Sequence, residues 1–177
     1  PKQRYSGTCS TRLNPIRPGI DRLTLDAVNL TIHSVKIGKT AQPFDYDGEQ
    51  LQISLKQASQ IGKPITLDIT YSVENPQRGI YFIAPDKHYP HKPVQVWTQG
   101  EDEDSRFWFP CFDYPGQLAT SEIRVRVPKQ YLAVSNGELI KTEADGDDKI
   151  YHWSQKEVHP TYLMTLAVGD FAELRDE

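Results

Sequence analysis

The sequence predicts an all-β protein, a β-sandwich or saddle of mostly antiparallel strands packed as two sheets. Three observations predict it. Apolar and polar residues alternate through several stretches, and turn-forming dipeptides punctuate the chain at short intervals. No segment long enough to stand alone repeats apolar residues at helical spacing.

The strands follow in order. Arg4–Leu13 opens the series. Leu23, Leu25 and Ala27 face one way while Arg22, Thr24 and Asp26 face the other, the pattern of a half-buried strand. Shorter strands fit Leu30–Ile37 and Gln50–Leu55, and Lys56–Ile61 hints at a single helical turn. The clearest alternation places Ile65, Leu67, Ile69, Tyr71 and Val73 inward and Thr66, Asp68, Thr70 and Ser72 outward. Gly79–Ile83 is a further strand, Pro85 to Pro93 a long proline-broken loop, and Val94–Thr98 strand-like again. Ile123, Val125 and Val127 alternate with Glu122, Arg124 and Arg126 until Pro128, which cannot donate to a ladder. Leu132–Val134, Lys149–Trp153 and Tyr162–Gly169 complete the set. Asn14-Pro15, Pro18-Gly19, Asp47-Gly48, Asn75-Pro76, Asn136-Gly137 and Asp145-Gly146 supply turns between them.

With 177 residues the chain fits one domain spanning 1–177, and a core of that size needs no staples. The net charge of −4 argues against a nucleic-acid backbone as partner. No apolar run reaches the roughly 18 residues of a membrane span, and no signal peptide opens the sequence. Cys9 and Cys111 show no framework spacing and are expected to be free thiols, which suggests a cytoplasmic home.

The chemistry concentrates between Val94 and Pro115. Gln99 and Glu101 have the same parity, so an extended backbone points both side chains the same way. Asp102, Glu103 and Asp104 follow directly, and like charges this close repel unless solvent or a cation offsets them. They lack the spacing of a dedicated calcium loop and read as a solvated face. Arg106 is the one cation near them in sequence and is expected to hold one of these carboxylates, or Asp113, as structural support. Phe107, Trp108, Phe109 and Phe112 read as core, with one or two lining an apolar pocket. Cys111 stands between Pro110 and Phe112 with no histidine nearby in sequence, a small core filler rather than a nucleophile.

Gln99-x-Glu101, then Arg106, then Phe109-Pro110-Cys111-Phe112-Asp113 and Pro115, resembles the N-terminal domain of the M1 (gluzincin) zinc aminopeptidases. Tyr131–Gly137 and Tyr162–Phe171 resemble two later strands of that domain, so the resemblance runs from about Tyr5 to Phe171. It implies the same β architecture. It also implies that Gln99 and Glu101 bind the free α-amino group of a peptide substrate, with Arg106 and Asp113 supporting the site. The resemblance implies a further strand ahead of Arg4–Leu13, where only Pro1, Lys2 and Gln3 stand.

The family's zinc-binding H-E-x-x-H is missing, and so is its G-x-M-E-N segment. His88 and His91 are three apart in a proline-broken loop, and neither a G-x-S-x-G elbow nor a phosphate-cradling glycine loop occurs. No metal site, cofactor or catalytic residue is therefore expected in this chain. The expectation is an inactive N-terminal domain of an aminopeptidase whose catalytic domain, its partner, holds the zinc and receives the peptide. The run from Glu101 to Cys111 also resembles the aminopeptidase-like subunit of a general transcription factor, which implies an alternative, a protein-interaction scaffold without catalysis.

Overall fold

The computed structural model describes residues 3–174. These are almost entirely strand and loop, the all-β class that the alternation predicts. Pro1 and Lys2, part of the short segment ahead of the first strand, lie outside the described residues. The chain forms two compact units.

One unit comprises residues 3–79 and Glu103–Asp113. Its strands are β1 (Arg4–Leu13), β2 (Arg22–Asp26), β3 (Thr31–Ile37), β4 (Thr40–Ala41), β5 (Phe44–Tyr46), β6 (Gln50–Ser54) and β7 (Ile65–Glu74). They build one sheet in the order β1-β7-β3-β4 and a second in the order β2-β6-β5, with every pair antiparallel. Leu67, Ile69 and Val35 of the first sheet share a core with Leu25, Leu51 and Ile53 of the second. Each such side chain contributes about 1.5–3 kcal/mol by leaving water, which is why the period-2 pattern fixes the register. A slip by one residue would turn every one of these outward. The Tyr46 hydroxyl closes the turn between β2 and β3, donating to the Ala27 carbonyl at 2.9 Å and accepting from the Leu30 N–H at 3.0 Å.

Lys56–Ile61 is not helical. Ser59 sends its backbone N–H to the Ile20 carbonyl and its hydroxyl to the Arg17 carbonyl, and its hydroxyl accepts the Ile20 N–H. Bonds that a helical turn would make within itself go instead to the loop at 17–20.

The other unit comprises Ile80–Asp102 and residues 114–174. Its strands are β8 (Ile80–Ile83), β9 (Gln95–Thr98), β10 (Leu118–Pro128), β11 (Leu132–Ser135), β12 (Glu138–Asp145), β13 (Asp148–Pro160) and β14 (Leu166–Gly169). The sheets run β10-β13-β12 and β11-β14-β9-β8. Val127 and Tyr151 from the first pack with Ala133, Leu166 and Val168 from the second. Residues 84–94 form the expected loop, in which the Asp86 carboxylate accepts the N–H groups of His88 and Tyr89. Gly137 turns the chain from β11 into β12 at φ +82°, so close to the Ser154 carbonyl that any Cβ would collide with it. Strand β12 carries no alternation because nearly all its side chains are exposed. Strand β14 begins later than the sequence suggests, because Thr161–Leu163 forms a 3-10 turn.

Candidate substrate-anchoring site

Strand β9 delivers the first two candidate residues. Exposure alternates along its end: Trp97 exposed, Thr98 buried, Gln99 exposed, Gly100 buried, Glu101 exposed. Trp97, Gln99 and Glu101 are the exposed members of this alternation, although β9 itself ends at Thr98 and Glu101 lies in a turn. The Trp97 ring stacks on Tyr81 of neighbouring β8, with centroids 4.5 Å apart and planes 21° apart. Neither the Gln99 nor the Glu101 side chain has a hydrogen-bond or ion-pair partner among the described residues. The Glu101–Asp102 peptide bond is cis.

The acidic run that follows divides by partner. In the unit that holds Glu103–Asp113, Arg106 is a hub. Its Nη2 lies 2.6 Å from Glu103 Oε2, its Nε 3.1 Å from Asp113 Oδ2, and its Nη1 3.8 Å from Asp26 Oδ1. The guanidinium also donates to the Asp113 carbonyl at 3.0 Å, and the Arg106 backbone N–H reaches Asp113 Oδ2 at 3.1 Å. Burial alone would lower the Arg106 pKa, but the Asp113 hydrogen bond and the charges of Asp26, Asp113 and Glu103 together raise it. Arg106 thus contacts Asp26, Glu103 and Asp113 at once.

Asp104 departs from the solvated face read for residues 102–104. It is buried, and its Oδ2 takes Arg78 Nε at 3.2 Å while the Arg78 guanidinium lies 5.3 Å from the Phe107 ring centroid. Arg78 carries no sequence signal for this pairing because it stands 26 residues before Asp104, in the bend between β7 and β8. Gly79 beside it makes the approach possible: its φ is +77°, and a Cβ there would lie 2.5 Å from the Asp104 carbonyl oxygen.

Cys111 is buried and free, and burial, reinforced by the charge of Asp113, pushes its thiol well above the ordinary range. A thiol held protonated is a poor nucleophile, in keeping with a core filler. Trp108 and Pro110 are buried with it, while Phe107, Phe109 and Phe112 are half-buried. Among the described residues no three His, Cys, Asp or Glu side chains converge as a metal site. His33, His152 and His159 bond instead to Ser72, Glu122 and Ser121. The described residues do not fit a zinc ion. Among the described residues no helix is long and apolar enough to cross a membrane.

Units of two antiparallel sheets each are the architecture of an M1-type N-terminal β domain. The family description "Peptidase M1 N-terminal domain" matches residues 1–163, and the chain belongs to that family. It is 29% identical to aminopeptidase B of Mus musculus over 94% of its own length and 28% of that protein's. It is 33% identical to a probable aminopeptidase 1 of Saccharolobus solfataricus, over 88% of this chain and 19% of that one. Transcription initiation factor TFIID subunit 2 of Danio rerio is 28% identical over 84% of this chain and 13% of its own length. The M1 zinc metallopeptidase of Deinococcus radiodurans shares the fold, with a TM-score of 0.81 at 20% identity over 95% of this chain and 38% of that one. The chain thus spans under a third of the length of these curated relatives.

Proposed function

We propose that this chain is the substrate-capping N-terminal domain of a zinc aminopeptidase, in which Gln99 and Glu101 bind the free α-amino group of a peptide. The observation that carries this reading is the contrast in pairing. Glu103, Asp104 and Asp113 are each matched by arginine, whereas Gln99, Glu101 and the adjacent Asp102 are exposed and unpartnered among the described residues, and of these Gln99 and Glu101 alone continue the exposed side of the alternation begun at Trp97. An ammonium entering a cleft loses hydration, and an amide oxygen with a carboxylate beside it replaces that hydration through charge-assisted bonds. Anchoring the amine sets its distance to the first peptide bond, so one residue is released at a time. Arg106 and Asp113 shape the segment that follows. The zinc and the general base belong to a catalytic domain outside this chain, which is inactive alone. The unpaired thiols of Cys9 and Cys111 support a cytoplasmic setting.

The scaffold alternative predicts no use for an unpaired Gln99 and Glu101. The test is Glu101→Gln in the intact enzyme, assayed with aminoacyl substrates. A hydrogen bond to a charged group is worth about 1.5–3 kcal/mol, so kcat/KM should fall about 10- to 150-fold with the melting temperature unchanged. Near-normal hydrolysis would sink the assignment, and an intact protein without zinc or activity would move it to the scaffold.

A further inference from the structure

We propose that Thr98 and Asn136 are positioning residues for Gln99, an inference that rests on the anchoring role given to Gln99 above. The end of β9 is not held as an ordinary ladder would hold it. The register between β9 and β14 runs Gln95–Gly169, Val96–Val168 and Trp97–Ala167, and stops there. The next N–H of β14, that of Leu166, is taken by the Thr98 hydroxyl at 2.9 Å. That hydroxyl lies 3.5 Å from Thr165 Oγ1. The side chain thus takes over the tie to β14 at the last strand residue before Gln99.

The partner strand is fixed in turn from β11. Asn136 uses both ends of its amide: Nδ2 donates to the Leu163 carbonyl at 2.9 Å, and Oδ1 accepts the Thr165 N–H at 2.7 Å. Ser135 Oγ donates to the Thr165 carbonyl at 2.7 Å. Thr165 therefore has its N–H and its carbonyl clamped from β11, while its hydroxyl faces β9. Asn136 is itself fixed by the turn at Gly137, whose backbone abuts the Ser154 carbonyl. The chain of contacts runs from β13 through Asn136 and Thr165 to Thr98, one residue short of the proposed amine ligand. Thr98 and Ser135 are buried, so water does not readily substitute for either hydroxyl.

The experiment compares Thr98→Val, Thr98→Ser, Asn136→Ala, Gln99→Ala and the double variant Thr98→Val/Gln99→Ala in the intact enzyme. Thr98→Val keeps the shape and removes the hydroxyl. If it displaces Gln99, KM for an aminoacyl substrate rises about five- to tenfold while kcat stays within about twofold, the pattern of lost uniform binding. Asn136→Ala should give the same split, and Thr98→Ser should restore KM. In the double variant the two effects should not add, because each acts through one side chain. An unchanged KM in Thr98→Val, full additivity with Gln99→Ala, or Thr98→Ser as damaged as Thr98→Val would overturn the inference. A normal KM in Gln99→Ala itself would overturn the anchoring role as well, so the two failures are told apart.

Discussion

Arg106→Met tests whether the hub or the surrounding backbone stabilises the buried Asp113 carboxylate. The Asp113 side chain is 1% exposed and that of Arg106 23% exposed, so the pair lies largely out of water. Removing one partner of a buried ion pair costs about 3–5 kcal/mol, because the remaining charge stays desolvated. Two features set the figure at the low end. The Arg106 backbone N–H still donates to Asp113 Oδ2 after the substitution. Glu103, half-exposed at 49%, loses a pair worth under about 1 kcal/mol. About 3 kcal/mol is the expected loss, which for a chain of this length lowers the melting temperature by about 6–12 °C. Arg106→Lys retains a charge but not the fork that reaches Glu103 and Asp113 together, and should lose about half as much. Thermal melts followed by circular dichroism measure both. If Arg106→Met melts within 2 °C of the parent, roughly one kcal/mol or less, backbone donors alone sustain the carboxylate and the hub is not what holds this segment.

Two further outcomes follow from local geometry. Gly79→Ala forces a left-handed backbone on alanine and drives its Cβ to 2.5 Å from the Asp104 carbonyl oxygen and 2.9 Å from Phe107 Cβ; it should cost more than about 2 kcal/mol, and a parental urea midpoint would contradict that. Burial raises the thiols of Cys9 and Cys111 above 9.0 and the phenols of Tyr5 and Tyr71 above 10.0. The unfolded chain then releases protons that the folded chain retains. Stability should therefore be undiminished below pH 9.0, fall as pH rises past it, and fall more steeply beyond 10.0. A flat urea midpoint between pH 8 and 11 would refute the linkage.

The strands that face a core on one side were legible in the sequence because burial writes a period of two. Strand β7 is the clearest case, and β1 matches residue for residue. Strand β12 was illegible for the converse reason: nearly all its side chains meet water, so no pattern distinguishes them. The short β5 offers too few residues for a period to emerge, and its Tyr46 is set by a hydroxyl that bridges two backbone groups. Gln99, Glu101, Arg106 and Asp113 could be singled out because they crowd one stretch of sequence. The Arg78–Asp104 pair and the Thr98–Thr165–Asn136 contacts join residues 26 to 67 positions apart, and proximity of that kind leaves no local signature.

Asp26 and Cys111 exchange both backbone hydrogen bonds, at 2.8 and 3.0 Å, and the Val28 N–H reaches the Arg106 carbonyl. Residues 103–113 are thereby stitched into the unit begun by β1 to β7, after the chain has gone elsewhere to lay down β8 and β9. On the ribosome, the earlier unit cannot be completed when its last strand emerges; it waits for 34 more residues, from Ile80 to Asp113. No single cleavage of the polypeptide separates the two units with each intact. An excised or transplanted version of the first would need residues 80–102 replaced by a linker joining Gly79 to Glu103, and that deletion would remove Thr98, Gln99 and Glu101 in one step.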